Sequence, residues 1–119
     1  MKKLPKEIKI IVDAIQDKKG RNIRVVDLRE TDLCLTSYLV ICEGNTPNQV
    51  SAVAQSVGEK MRNELDELPY TVDGMRNCTW VAMDYSDTVV HIFVPESRQF
   101  YDIDNLWEDA PYSDIPDLD

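Results

Sequence analysis

Positive charge is what this 119-residue chain has least of: 13 lysines and arginines stand against 22 aspartates and glutamates, a net charge of −9. Nucleic-acid affinity comes largely from Lys and Arg neutralising phosphates, so the chain is a poor binder of DNA, and little direct RNA binding is expected. Cysteine is scarce too. Cys34, Cys42 and Cys78 are odd in number and form no CxxC pair. They give neither a disulfide framework nor, with the lone His91, a zinc-site spacing. Free thiols of a reducing cytosol are the plain reading, and no metal or cofactor is expected. Long apolar runs are missing as well, because lysines and a glutamate interrupt the N-terminal MKKLPKEIKIIVDAI. That segment reads as neither a signal peptide nor a membrane span.

What is present suits one domain, since 43% hydrophobic and 29% charged residues are ordinary for a globular protein. Its acidity favours solubility and attraction to a basic partner. Leu4, Ile8, Ile11, Val12 and Ile15 share one face of a 3.6-residue period, predicting an amphipathic helix that ends at Lys18-Lys19-Gly20. Ile23 to Leu28 reads as a β-branched strand, and Ser37 to Cys42 as a strand covered on both faces. Thr46 and Gln49 form a capping box with Pro47 in the first helical position. The following stripe Val50, Val53, Ala54, Val57, Met61, Leu65 and Leu68 predicts a long helix stopped by Pro69. Tyr70 to Thr79 reads as a loop.

Trp80 to Val94 then reads as a β-hairpin around Asp84-Tyr85-Ser86-Asp87. Its strands are apolar on both alternations: Trp80, Ala82, Val89, His91 and Phe93 on one, Val81, Met83, Val90, Ile92 and Val94 on the other. A short helical stretch to Trp107 follows. The expected fold is therefore α/β (α+β), a single mixed sheet of about four to five strands flanked by helices. Residues 1–110 form the domain, and 111–119, acidic and rich in proline, form a disordered tail.

Three constellations bear on chemistry. Asp84, Asp87 and Asp27 at strand ends offer carboxylates for Mg²⁺ and nucleotidyl transfer. Aspartate is equally a preferred turn residue, with Asp27 and Asp32 bordering a loop. Nucleotidyl transfer also needs a glycine-rich phosphate loop, and Gly44 in EGNTPNQ lacks the accompanying lysine. Gly44 before a capped helix reads as an ordinary strand-to-helix turn. His91, mid-strand, has no paired nucleophile in sequence, so general-base catalysis lacks its second member.

The ordered set Trp80-Val81-Ala82-Met83-Asp84-Tyr85, Asp87, Val89-Val90-His91-Ile92-Phe93, Arg98-Gln99-Phe100-Tyr101 and Leu106-Trp107 resembles the ribosomal silencing factor (Iojap-like) family. Upstream, Val26-Asp27-Leu28-Arg29, Thr36 to Ile41, Gly44-Asn45-Thr46 and Gln49-Val50 extend the resemblance over about residues 4–110. Arg76 to Thr79 is more polar than the family pattern. The resemblance implies a nucleotidyltransferase-like fold without the catalytic site, hence no enzyme. It implies cytoplasmic binding to the large ribosomal subunit through its fourteenth protein, blocking association with the small subunit and repressing translation when nutrients are scarce. A homodimer is also implied. The expected partner-binding residues are Trp80, Met83, Asp84, Tyr85, Asp87, Val89, His91, Arg98 and Tyr101, with Trp80, Tyr85 and Tyr101 as aromatic anchors.

Overall fold

A computed structural model describes residues 4–30 and 36–118. Asp32 and Cys34, named above, lie outside the described residues. Helix α1 spans Lys6–Asp17 and turns Ile8, Ile11 and Ile15 inward, each no more than 1% exposed. It leads into strand β1, Arg21–Asp27, and strand β2, Tyr38–Glu43. Helix α2, Pro47–Leu65, opens with the expected cap. The Thr46 hydroxyl accepts the Gln49 N–H at 3.2 Å, and Gln49 Oε1 accepts from the Asn45 N–H at 2.7 Å. The Gln49 amide also donates to the Lys18 and Lys19 carbonyls, tying the end of α1 to the start of α2. The reciprocal partner is Asn45 rather than Thr46 itself, so the box is shifted by one residue.

Helix α2 closes one turn earlier than its apolar stripe predicts. Asp66 takes a left-handed conformation, and its N–H and that of Glu67 return to the Arg62 and Met61 carbonyls. Leu68 is thereby left 71% exposed instead of joining the core. The chain then makes a short strand β3, Thr71–Asp73, where a loop was expected. Gly74 turns it back with a positive φ, and a Cβ at that position would overlap the Trp80 carbonyl. Only glycine meets both demands.

Strands β4, Trp80–Asp84, and β5, Thr88–Phe93, form the expected hairpin. Helix α3, Pro95–Tyr101, a 3₁₀ segment, Ile103–Trp107, and strand β6, Tyr112–Ile115, complete the chain. All six strands lie in one sheet of order β3-β4-β5-β2-β1-β6, mixed because β2 and β5 run parallel while the other neighbours are antiparallel.

The 111–119 tail expectation is corrected here. Tyr112–Ile115 pairs with Ile23–Val26 as an edge strand, and Asp114 and Asp117 bind Arg24 and Arg21. A four-residue edge strand needs little apolar burial when its partner supplies the hydrogen bonds.

The sheet has two unlike faces. On one, α1 and α2 pack over Ile23, Val25, Val40, Cys42, Val81, Met83, Val90 and Ile92. On the other, a smaller cluster of Val26, Leu28, Leu39, Ile41, Phe93 and Ile103 is flanked by half-buried Trp80, Val89 and Trp107. Strand β2 at the centre buries Leu39, Val40, Ile41 and Cys42, so both of its faces are covered as its uninterrupted apolar run requires.

Candidate docking face

Among the described residues, the helical elements on the second face are α3, which buries no residue, and the 3₁₀ segment, which inserts Ile103. Trp80, Ala82, Val89 and His91 of the β4–β5 hairpin are only half-buried there, whereas Leu39, Ile41 and Phe93 are buried. There Trp80 pairs with Phe93, Ala82 with His91 and Asp84 with Val89. Opposed residues of an antiparallel pair share a face. Trp80, Ala82, Val89 and His91 consequently form a half-buried strip on the side away from the long helices.

The aromatic group is closely organised. The Trp80 ring stacks on Phe93 at 5.0 Å between centroids and meets Tyr101 at 4.7 Å. Phe100 stands edge-on to Tyr101 at 5.0 Å. The indole Nε1–H donates to His91 Nδ1 at 2.9 Å. An indole only donates, so this bond assigns His91 a lone pair on Nδ1 and its hydrogen to Nε2. Burial lowers the His91 pKa to about 4, which keeps the ring neutral at physiological pH. Outward from this group, Tyr101 is 50% and Phe100 80% exposed. Asp73, opposite Ala82 on β3, and Asp84 add carboxylates to the same face.

Of the nine expected partner-binding residues, the structure gathers Trp80, Asp84, Val89, His91 and Tyr101 on this face. Met83 and Tyr85 are corrected: at 3% and 5% exposure they belong to the cluster beneath the helices. The pleat sends Met83 the opposite way from Ala82 and Asp84. Burial raises the Tyr85 hydroxyl pKa to about 12, with Glu67 and Glu7 adding to it. Asp87 is exposed in the turn, where its carbonyl accepts the Ser37 and Tyr38 N–H groups. Arg98 is mostly buried and paired with Glu43 and Asp104. Three residues missed by the sequence reading belong here: Asp73, from the stretch read as a loop, Ala82 and Phe100. Ala82 shares the Trp80 alternation, and Phe100 precedes Tyr101, so the signals for those two were available.

Two of the three carboxylates named for metal chemistry have other duties. Asp84 Oδ1 accepts the Ser86 N–H at 2.8 Å, an Asx turn that shapes the hairpin, and Asp27 accepts three N–H groups of Arg29. Among the described residues no three His, Cys, Asp or Glu are grouped to hold a metal ion. Cys42 and Cys78 are free and buried, and burial pushes the Cys42 thiol up to about 12. No helix of the described residues is long and apolar enough to cross a membrane.

Fold and face define a small one-sheet α/β domain that presents a surface: helices armour one side, and an aromatic strip with acidic neighbours opens on the other. The whole chain, residues 1–119, matches the family described as ribosomal silencing factor during starvation, and the chain belongs to that family. It is 33% identical over 111 residues to the ribosomal silencing factor of Bacillus subtilis, covering 91% of this chain and 90% of that one. It is 23% identical over 110 residues to a mouse protein named mitochondrial assembly of ribosomal large subunit protein 1, covering 91% of this chain and 48% of that one. A solved Chromobacterium violaceum structure is similar at TM-score 0.82 and 30% identity, covering 90% of this chain and 88% of that one.

Proposed function

We propose that this protein acts in the cytoplasm by binding the large ribosomal subunit through its fourteenth protein, and so obstructs joining of the small subunit and represses translation under nutrient limitation. The observation that carries this reading is the half-buried aromatic strip that opens outward into exposed Tyr101 and Phe100. Trp80, Tyr101 and Phe100 supply rigid apolar area of the kind that anchors protein interfaces. Asp73, Asp84 and the net charge of −9 complement a basic protein and speed its encounter. Names of relatives support the ribosome as the destination, the mouse protein's name specifying the large subunit. The role is obstruction rather than catalysis, in keeping with the regulatory names of the relatives. A second copy of the chain could occupy the same apolar strip, so a homodimer would compete with the ribosomal partner.

Co-sedimentation with isolated large subunits tests the reading. The protein should pellet with them at moderate salt, and Tyr101→Asp should weaken that binding roughly tenfold or more. Absence of wild-type protein from the pellet removes the proposal. Calorimetry with Mg²⁺ and nucleoside triphosphates addresses the nucleotidyltransferase alternative, and heat of binding there would revive it.

A further inference from the structure

Helix α3 carries the two most exposed aromatics of the docking face, yet it buries no residue of its own. Beyond the ring contact itself, burial of α3 side chains therefore does little to hold Tyr101 on Trp80. The anchoring is polar and converges on one side chain. Arg98, whose side chain is 13% exposed, donates from Nε and one terminal nitrogen to the two carboxylate oxygens of Asp104, at 3.2 and 2.9 Å. Its other terminal nitrogen donates to Glu43 on β2 at 3.1 Å and to the Asn22 carbonyl on β1. One guanidinium thus ties α3 to two strands and to the 3₁₀ segment. Arg24 extends the network, bonding Asp114 of β6 at 2.7 Å and lying 3.7 Å from Asp104. The Asp102 N–H closes α3 on the Arg98 carbonyl at 2.9 Å, with Asp102 in a left-handed conformation.

We propose that Arg98 is a positioning residue for the docking face: by holding α3 against β1, β2 and the 3₁₀ segment, it keeps Tyr101 on Trp80 and Phe100 presented beside it. This rests on the docking reading above for its consequence, but not for its geometry. It also reassigns Arg98, expected from sequence to touch the partner, to a role behind the contact surface. Lysine keeps the charge but cannot make the forked bond to Asp104 while also reaching Glu43 and Asn22.

The experiment uses the full chain carrying Trp107→Phe, so that Trp80 is the only tryptophan. In that parent, Arg98→Lys and Asp104→Asn should each shift Trp80 emission to the red and increase its quenching by acrylamide, with far-UV dichroism unchanged. Each should also bind large subunits about tenfold more weakly than the parent, the size expected when an anchor is misplaced rather than removed. If Arg98→Lys fails to fold, Asp104→Asn alone decides. Unchanged Trp80 emission and quenching overturn the proposal whatever the binding does. Altered fluorescence with unchanged subunit binding overturns the link between α3 and docking. Failure of the wild-type protein to bind sinks the ribosomal reading, while the fluorescence still decides whether Arg98 holds Tyr101 in place.

Discussion

Trp80 serves two interactions at once: its ring lies between Phe93 and Tyr101 while its N–H satisfies His91. Trp80→Phe deletes the indole N–H together with part of the packed ring, and should cost at least about 1 kcal/mol by thermal unfolding, the net worth of one such bond. A larger loss would mean that packing of the indole dominates. His91 links the same site to pH. Its folded pKa of about 4 lies below the ordinary 6.5, so the unfolded chain takes up the proton first. Stability from this group is complete above pH 6.5 and is lost as pH falls through about 4, by up to about 3 kcal/mol. Glu7 runs the other way: burial, then repulsion from Glu67 and Asp87, raise its pKa, with only a Thr88 hydrogen bond opposing. Comparing wild type with His91→Gln isolates the histidine. The variant's melting temperature should fall less between pH 6.5 and 4 than the wild type's, and parallel curves would refute the assignment. The alternation of the hairpin was readable from sequence, but not which alternation faces the helices. That depends on where α1 and α2 come to rest, and this is why Met83 and Tyr85 were assigned to the surface.

Helices were legible as elements because their signals are local. The α2 cap is written in Thr46, Pro47 and Gln49, and Thr46→Ala should lower stability by about 1 kcal/mol in denaturant unfolding. No change there would show that Gln49 and its bonds to Asn45, Lys18 and Lys19 hold the helix start alone. The end of α2 was less legible: the apolar stripe runs on to Leu68, but the left-handed Asp66 stops the helix at Leu65. Strands β3 and β6 were invisible for a different reason. Each is short, sits on a sheet edge and draws its stability from a partner strand. The Arg24–Asp114 pair bridges residues 90 positions apart, which no local pattern encodes. Truncation after Ala110 tests β6 directly. It should expose the β1 edge, speed amide exchange at Ile23 to Val26 and lower the melting temperature. Unchanged exchange would return the segment to the status of a tail.

At the scale of the molecule, composition anticipated the acidity, the order of helix and strand patterns anticipated the single-sheet α/β architecture, and the ordered hairpin motifs anticipated the family. The asymmetry of the sheet had to come from the structure. Two long helices cover one face, and among the described residues a short helix and a 3₁₀ turn are the helical elements on the other. That leaves Trp80, Ala82, Val89, His91, Phe100 and Tyr101 on a partly open face, and Asp73 and Asp84 give it a negative sign. Binding steered by charge should weaken as salt rises. The central claim is that this surface occupies the large subunit and keeps the small subunit away. Light scattering of purified subunits mixed with and without the protein measures it directly. Wild type, added to large subunits first, should suppress the rise in scattering on joining, and Tyr101→Asp at the same concentration should not. Joining at an undiminished rate and extent with saturating wild-type protein would contradict the account.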